Sequence, residues 1–284
     1  MNMGSATRPI TSRLRSGGIV TGCATALAVI ALIALIAPLL MTSDYATVDF
    51  DTRFLPPTTN DGHLFGTDEL GRDLLARTLL GVQVSLFVAV IASIVSLGIG
   101  VAYGALAGFV GGKLDAVMMR AVDALYALPF IFFVILLMVV FERNFLLIFV
   151  AIGAINWLDM ARIVRGQTIS LKHREFVDAA RLTGVSTAGI IWRHITPNLF
   201  GVVVVYLTLT IPQAILFESF LSFLGLGVQE PQTSLGALVS NGVSQMESAP
   251  WLLVIPASVL AFILLCFNFL GYGLRDIADP KKGT

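Results

Sequence analysis

Charge is what this chain has least of. Asp, Glu, Lys and Arg make up 13% of its 284 residues, while 56% are hydrophobic. A soluble domain carries about a quarter charged residues, so the deficit and its long uncharged runs exclude an ordinary soluble protein. The net charge is zero, which excludes a nucleic-acid partner held by basic charge. Only two cysteines occur, Cys23 and Cys266, each inside an apolar run. That excludes a disulfide framework or a cysteine metal site. The three histidines, His63, His173 and His194, are scattered, so neither a metal cluster nor a catalytic constellation forms in the sequence. A phosphate-binding loop is also missing. Gly112-Lys113 is its nearest approach, but Ala107 and Leu114 both break GxxxxGK[ST]. The chain therefore binds no ATP by a P-loop, and no enzymatic site is expected in it.

What is present is a set of apolar runs. A stretch of about 20 residues at 1.5 Å rise spans the hydrocarbon of a bilayer. Ile19–Met41 is uncharged over such a length. A cleaved signal peptide has a shorter apolar region, so 1–18 reads as a cytoplasmic N-terminal segment and 19–41 as the first span. Residues 42–81 are acidic, with Thr67 expected to cap a short helix through Arg77. Further spans are expected at 82–110, 116–140, 145–163, 199–221 and 251–272, and a polar tail at 273–284. The fold class is then an all-α integral membrane protein with six transmembrane helices, five of them forming a core over 82–272. Pro129 is placed to kink the third span and Pro212 to break the fifth. Residues 222–250 read as a glycine-rich loop. Gly100, Gly104, Gly108 and Gly112 recur every fourth residue, which lines up one helix side for close approach by a neighbour.

Fourteen of the eighteen lysines and arginines fall on one side of this topology. The positive-inside rule makes that side cytoplasmic. Both termini and the long polar interval 162–198 are then cytoplasmic, with 42–81 and 222–250 outside. Ionisable groups at membrane depth are functional candidates. Here they are Arg120 and Asp123, spaced i, i+3 to pair, and Glu218, which reads either as a snorkelled interfacial group or as part of a pathway or gate. Asp68, Arg72 and Asp73 in the outer segment read either as a contact for another protein or as internal capping.

The interval 175–198 is the most informative stretch. Phe176, Ala179, Ala180 and Thr183 share a helix face. Asp178 and Arg181 lie off it. Gly184 stands where a helix would end in a left-handed residue. Ser186 can cap a second short helix that Pro197 would stop. Two short helices joined at a glycine make a docking surface; a helix lying on the membrane is the plainer alternative.

The sequence Asp178-Ala179-Ala180, three residues, Gly184, nine residues, then His194-Ile195-Thr196-Pro197 resembles the coupling loop of ABC importer permeases. Asp178 stands where that signature has Glu. Phe65-Gly66-Thr67-Asp68-Glu69-Leu70-Gly71-Arg72-Asp73 is similar to the GTDxxGRD motif of the peptide and nickel branch. The stretches 148–168 and 216–227 look like the C subunit of oligopeptide permeases. The resemblance covers roughly residues 19–280.

It implies a permease subunit of an ATP-driven importer in the bacterial cytoplasmic (inner) membrane. Its partners would be a homologous second permease, two ATPase subunits that bind ATP and Mg, an extracytoplasmic peptide-binding protein, and lipid. The coupling residues would be Glu175, Phe176, Asp178, Ala179, Ala180, Arg181, Gly184, Pro197 and Asn198. Oligopeptides are the implied substrate; dipeptides, nickel or another small solute remain open. Three other classes compete. A secondary transporter should show internal repeats, a membrane enzyme a reactive constellation, and a channel a filter loop; the sequence has none of these.

Overall fold

The computed structural model describes residues 10–40, 45–59, 62–129, 132, 134–136, 140 and 145–278. All regular structure in these residues is helical, apart from one isolated bridge between Thr67 and Asp73. We label the helices α1 (Ile10–Leu40), α2 (Leu74–Val110), α3 (Gly112–Tyr126) and α4 (Phe145–Leu171). They are followed by α5 (Glu175–Leu182), α6 (Thr187–Phe223), α7 (Leu235–Ser244) and α8 (Trp251–Ala278).

Four stretches are long and apolar enough to cross a membrane: Gly18–Ala37, Leu74–Val110, Thr187–Phe223 and Trp251–Asp276. The expected fourth span lies within α4. The expected third falls partly outside the described residues, as do the turn at 142–144, residues 1–9 and the tail from 279.

The packing of α2 on α4 organises the bundle. Gly100 faces Met160 and the Trp157 carbonyl, Gly104 faces Ala161 and Val164, and Gly108 faces Arg165 and Thr168. A methyl built on Gly108 would lie 2.7 Å from the Arg165 carbonyl oxygen, and one on Gly100 2.6 Å from Met160 Cβ. Both are closer than real contacts allow, so the helices meet nearly backbone to backbone. Contact positions rise together along the two helices, which therefore run parallel. The fourth glycine of the series plays no part. Gly112 has open space around it and a φ of +62°, and with Gly111 (φ +71°) it turns the chain from α2 into α3.

Several boundaries differ from expectation. No short helix is capped by Thr67. The Thr67 hydroxyl instead bonds the Thr52 carbonyl and accepts from the Leu55 N–H. Asp73 is the N-cap, accepting from Ala76 N–H at 2.8 Å. The helix it starts runs without interruption to Val110. The third apolar run is not one kinked helix: α3 ends at Tyr126, as expected where Pro129 disfavours helical geometry in the residue before it. Pro212 does not break α6. In an apolar surrounding the remaining backbone bonds have no competing water, so a spanning helix tolerates one missing donor. The 222–250 segment is not wholly loop, since Ser234 caps α7 by accepting from Ala237 N–H at 3.1 Å.

Replacing Gly108 with Leu should force α2 from α4 and cost about 1–3 kcal/mol, the usual cost of overpacking. A drop in the melting temperature of the detergent-solubilised protein measures it, with Gly98→Leu, a position on α2 with open space around it, as the comparison that carries no interhelix clash.

Candidate functional site

The short helix α5 is closed at its C-terminus by Gly184. The Gly184 N–H bonds the Arg181 carbonyl at 3.0 Å and the Val185 N–H the Ala180 carbonyl at 3.1 Å. With Gly184 at φ +79°, this is the paired closure that a left-handed residue permits. Ser186 then accepts from Gly189 N–H, as the sequence suggests.

Pro197 does not stop the helix that follows. Residues Ile190–Ile195 take a wider π turn, in which Thr196 N–H bonds the carbonyl of Ile191 five residues back. Pro197 then sits in the first turn after that register change, where its missing donor does not interrupt the ladder. Asn198 Nδ2 ties back to the His194 carbonyl at 2.6 Å. Short helix and span are thus one element.

The faces of α5 are rotated from the sequence reading. Val177 and Ala180 are buried and join a cluster with Val101, Val164, Ile190, Ile195 and Leu199. Phe176, Ala179, Leu182 and Thr183 face outward with Glu175; Leu182 is 89% exposed. Ala180 therefore packs on this chain, and Ala179 lies open. Asp178 pairs with Arg181 at 3.0 Å, and the Arg181 guanidinium lies 5.4 Å from the centre of the Phe109 ring at the end of α2. Lys172 Nζ also bonds the Gly108 carbonyl at 3.1 Å. The docking helix is therefore fixed to the far end of α2. Sequence reasoning missed Leu182 and the half-exposed Trp192. A signal for Leu182 exists, an apolar residue three after Ala179 and six after Phe176.

Near α3, Asp123 does not pair with Arg120. Its partner is Arg162 of α4 at 2.8 Å, while Arg120 is exposed. A neighbouring helix offers Asp123 a better-placed guanidinium than its own turn does. Arg165 adds a two-pronged contact to Asp115, at 2.5 and 2.6 Å.

At the opposite end of α2, about 55 Å away for a helix of 37 residues, the remaining candidates gather. Glu218 does not snorkel: it is fully buried. It accepts from Ser222 Oγ at 2.7 Å and lies 3.3 Å from Ser85 Oγ. Ser222 in turn meets Ser234 at 3.3 Å, and Ser85 accepts from Leu235 N–H. This hydroxyl cage joins α2, α6 and the start of α7.

Asp68, Arg72 and Asp73 are buried as well, and their partners are internal. Asp68 accepts from Arg72 N–H at 2.9 Å and Arg72 Nε at 2.7 Å. Asp73 lies 2.8 Å from His63 Nδ1 while capping α2. The expected outward contact of these three side chains is not available as they stand. Arg72 directs both terminal nitrogens at Glu230, at 2.6 and 3.0 Å, and Arg77 adds a third bond to Glu230 at 3.2 Å. Neither Arg77 nor Glu230 stands out in the sequence, because 153 positions separate them. The hydrogen bonds from Arg72, and then the charges of Arg72 and Arg77, hold the Glu230 carboxyl below the usual carboxylate range against partial burial.

An apolar helix bundle with a capped two-helix loop that joins α4 to α6 is the architecture of an ABC importer permease. The chain belongs to the family of binding-protein-dependent transport system inner membrane components, whose model matches residues 100–284. It is 56% identical over 255 residues to the oligopeptide transport system permease protein OppC of Escherichia coli K12, covering 90% of this chain and 84% of that one. The OppC of Haemophilus influenzae is 53% identical over 255 residues, with 90% and 82% covered. The dipeptide transport system permease protein DppC of Bacillus subtilis is 44% identical over 249 residues, with 87% and 77% covered. In fold, the chain resembles one chain of the MetNI methionine ABC transporter solved in inward-facing conformations. That match has a TM-score of 0.55 and 16% identity, covering 70% of this chain and 94% of that one.

A carboxylate whose pKa is depressed on folding adds stability above its unfolded value and loses it as pH falls through the folded one. Stability should therefore drop as pH falls below about 4, and less so in Glu230→Gln. Melting curves across pH for both proteins test this; parallel profiles would remove Glu230 from the effect.

Proposed function

We propose that this chain is one of two permease subunits of an ATP-driven importer of oligopeptides, with both termini and α5 in the cytoplasm. The observation that carries the reading is the division of α5 into two faces. Val177 and Ala180 are sealed into the spans' own core, while Phe176, Ala179 and Leu182 stand open on the other side. An apolar face exposed on a helix that cannot move without α2, α4 and α6 suits a partner that exerts force on those spans. Phe176 and Leu182 would anchor in pockets of the partner, Ala179 would admit its surface closely, and the Asp178–Arg181 pair would set register at the rim. The partners would be ATPase subunits that hold ATP and Mg, a sibling permease, and a binding protein delivering peptide from outside. The identity to OppC proteins supports oligopeptides. The DppC likeness supports shorter peptides as the second reading.

Ala179→Arg should leave the protein folded in the membrane and abolish ATP-driven uptake, because only the partner's surface meets that side chain. Ala180→Arg should instead lower folded yield, since a buried unpaired charge costs on the order of 3 kcal/mol or more. Uptake of labelled peptides of two to six residues by a deletion strain, alongside membrane abundance, separates the two lesions and the two substrate readings. Full uptake by Ala179→Arg would remove α5 as the coupling surface.

A further inference from the structure

The Arg72–Arg77 pair is unusual in how it is neutralised. Both guanidiniums are almost wholly buried, with side chains 3% and 1% exposed, yet the carboxylate that bridges them belongs to Glu230, which is 50% exposed. Glu230 reaches in from the connection between α6 and α7. Asp68 stays on the pair from the other side, 2.7 Å from Arg72 and 3.5 Å from Arg77. Arg77 is still unsatisfied, because its Nε and Nη1 are buried without a hydrogen-bond partner. A cleft opens beside the pair, lined also by Leu238, Asn241, Gln245, Leu252 and Glu69, whose carboxylate accepts from Gln245 Nε2 at 3.3 Å.

We propose that Arg72 and Arg77 form a receptor for one carboxylate, filled in this structure by Glu230, and that the C-terminal carboxylate of an incoming peptide replaces it. The inference rests on the peptide-import reading. Charge requires a one-for-one exchange. With Glu230 gone, two guanidiniums face Asp68 alone, and a buried unpaired charge is strongly unfavourable. Glu230 therefore leaves only as another carboxylate arrives. A guanidinium offers two parallel bonds to such a group, and Arg77 Nη1, buried without a hydrogen-bond partner, adds a further donor. The Asn241 amide and the Gln245 carbonyl, with leucines beside them, suit the last peptide units. The burial of both arginines favours a slender chain end over a side chain fixed on a folded partner. Departure of Glu230 frees the α6–α7 connection, so recognition of the ligand and release of this end of the bundle become one event.

The test uses the assembled importer in proteoliposomes, with its binding protein and ATP. Pairs of peptides of one sequence end in either a free carboxylate or a carboxamide. The wild type should prefer the acid. Glu230→Gln removes the resident competitor but keeps an acceptor for Arg72. It should lower KM for the acid about tenfold, as removal of a competing closed state does, and leave KM for the amide unchanged. Arg77→Gln should erase the distinction between the two peptides. Equal changes for acid and amide in Glu230→Gln would reduce Glu230 to a structural clamp and overturn the proposal. A change confined to stimulation by the binding protein would overturn it too, assigning the carboxylate to that protein. If the wild type imports neither peptide, the import reading falls, and this inference with it.

Discussion

Everything in this chain depends on how closely α2 approaches α4. Gly100, Gly104 and Gly108 remove three side chains from one side of a 37-residue helix. The neighbouring backbone fills the space. In a bilayer there is little hydrophobic gain from pressing one apolar helix on another, so contact of this kind supplies much of the association. It also makes the pair stiff. The docking helix is fastened to one end of α2 through Phe109 and the Gly108 carbonyl. The Asp68–Arg72–Glu230 network is fastened to its other end through the Asp73 cap. One rigid member therefore joins α5 at one end of the bundle to the Asp68–Arg72–Glu230 network at the other.

The polar groups at the two ends are handled in opposite ways. Around α5 they are exposed and paired within the same turn, as Asp178 is with Arg181; such pairs add little stability and leave the surface free. At the Asp73 end they are withdrawn from water and bonded across long sequence distances. Glu218 is enclosed by hydroxyls from α6, α2 and the residue that caps α7. Buried groups must find partners, and here the partners lie on three different helices. The Glu218 cage thus ties α2, α6 and α7 together, while the α5 end leaves apolar side chains such as Leu182 uncovered.

How much of this was legible in the sequence follows from the range of each interaction. Apolar runs, the glycine spacing and the Gly184 closure are local, and they read directly from residue order. So did the family, because the coupling-loop spacing is a local pattern. Which alanine of Ala179-Ala180 faces inward was not legible: both fit a helix face, and only the position of Ile190 and Val164 decides. Asp123 offered the same difficulty, since Arg120 is a plausible partner until α4 brings Arg162 alongside. Arg77 and Glu230 look unremarkable apart and acquire meaning only when folding joins them. Pro197 and Pro212 misled for two other reasons. Pro197 falls in the first turn after the π turn, where its missing donor interrupts nothing, and Pro212 lies buried within a spanning helix, where one missing donor is tolerated.

The π turn at Ile190–Ile195 sets a phase. Each residue added to or taken from a helix rotates all that follows by about 100°. The wider turn absorbs one residue between Ser186, where the docking segment is capped, and the long span that begins beyond Pro197. It thereby fixes the direction in which the span's side chains point relative to the loop. The distance from Gly184 to Pro197 is thus an angular setting as much as a length. A single deletion there would turn α5 by about 100° relative to the span that follows, with every other residue type unchanged.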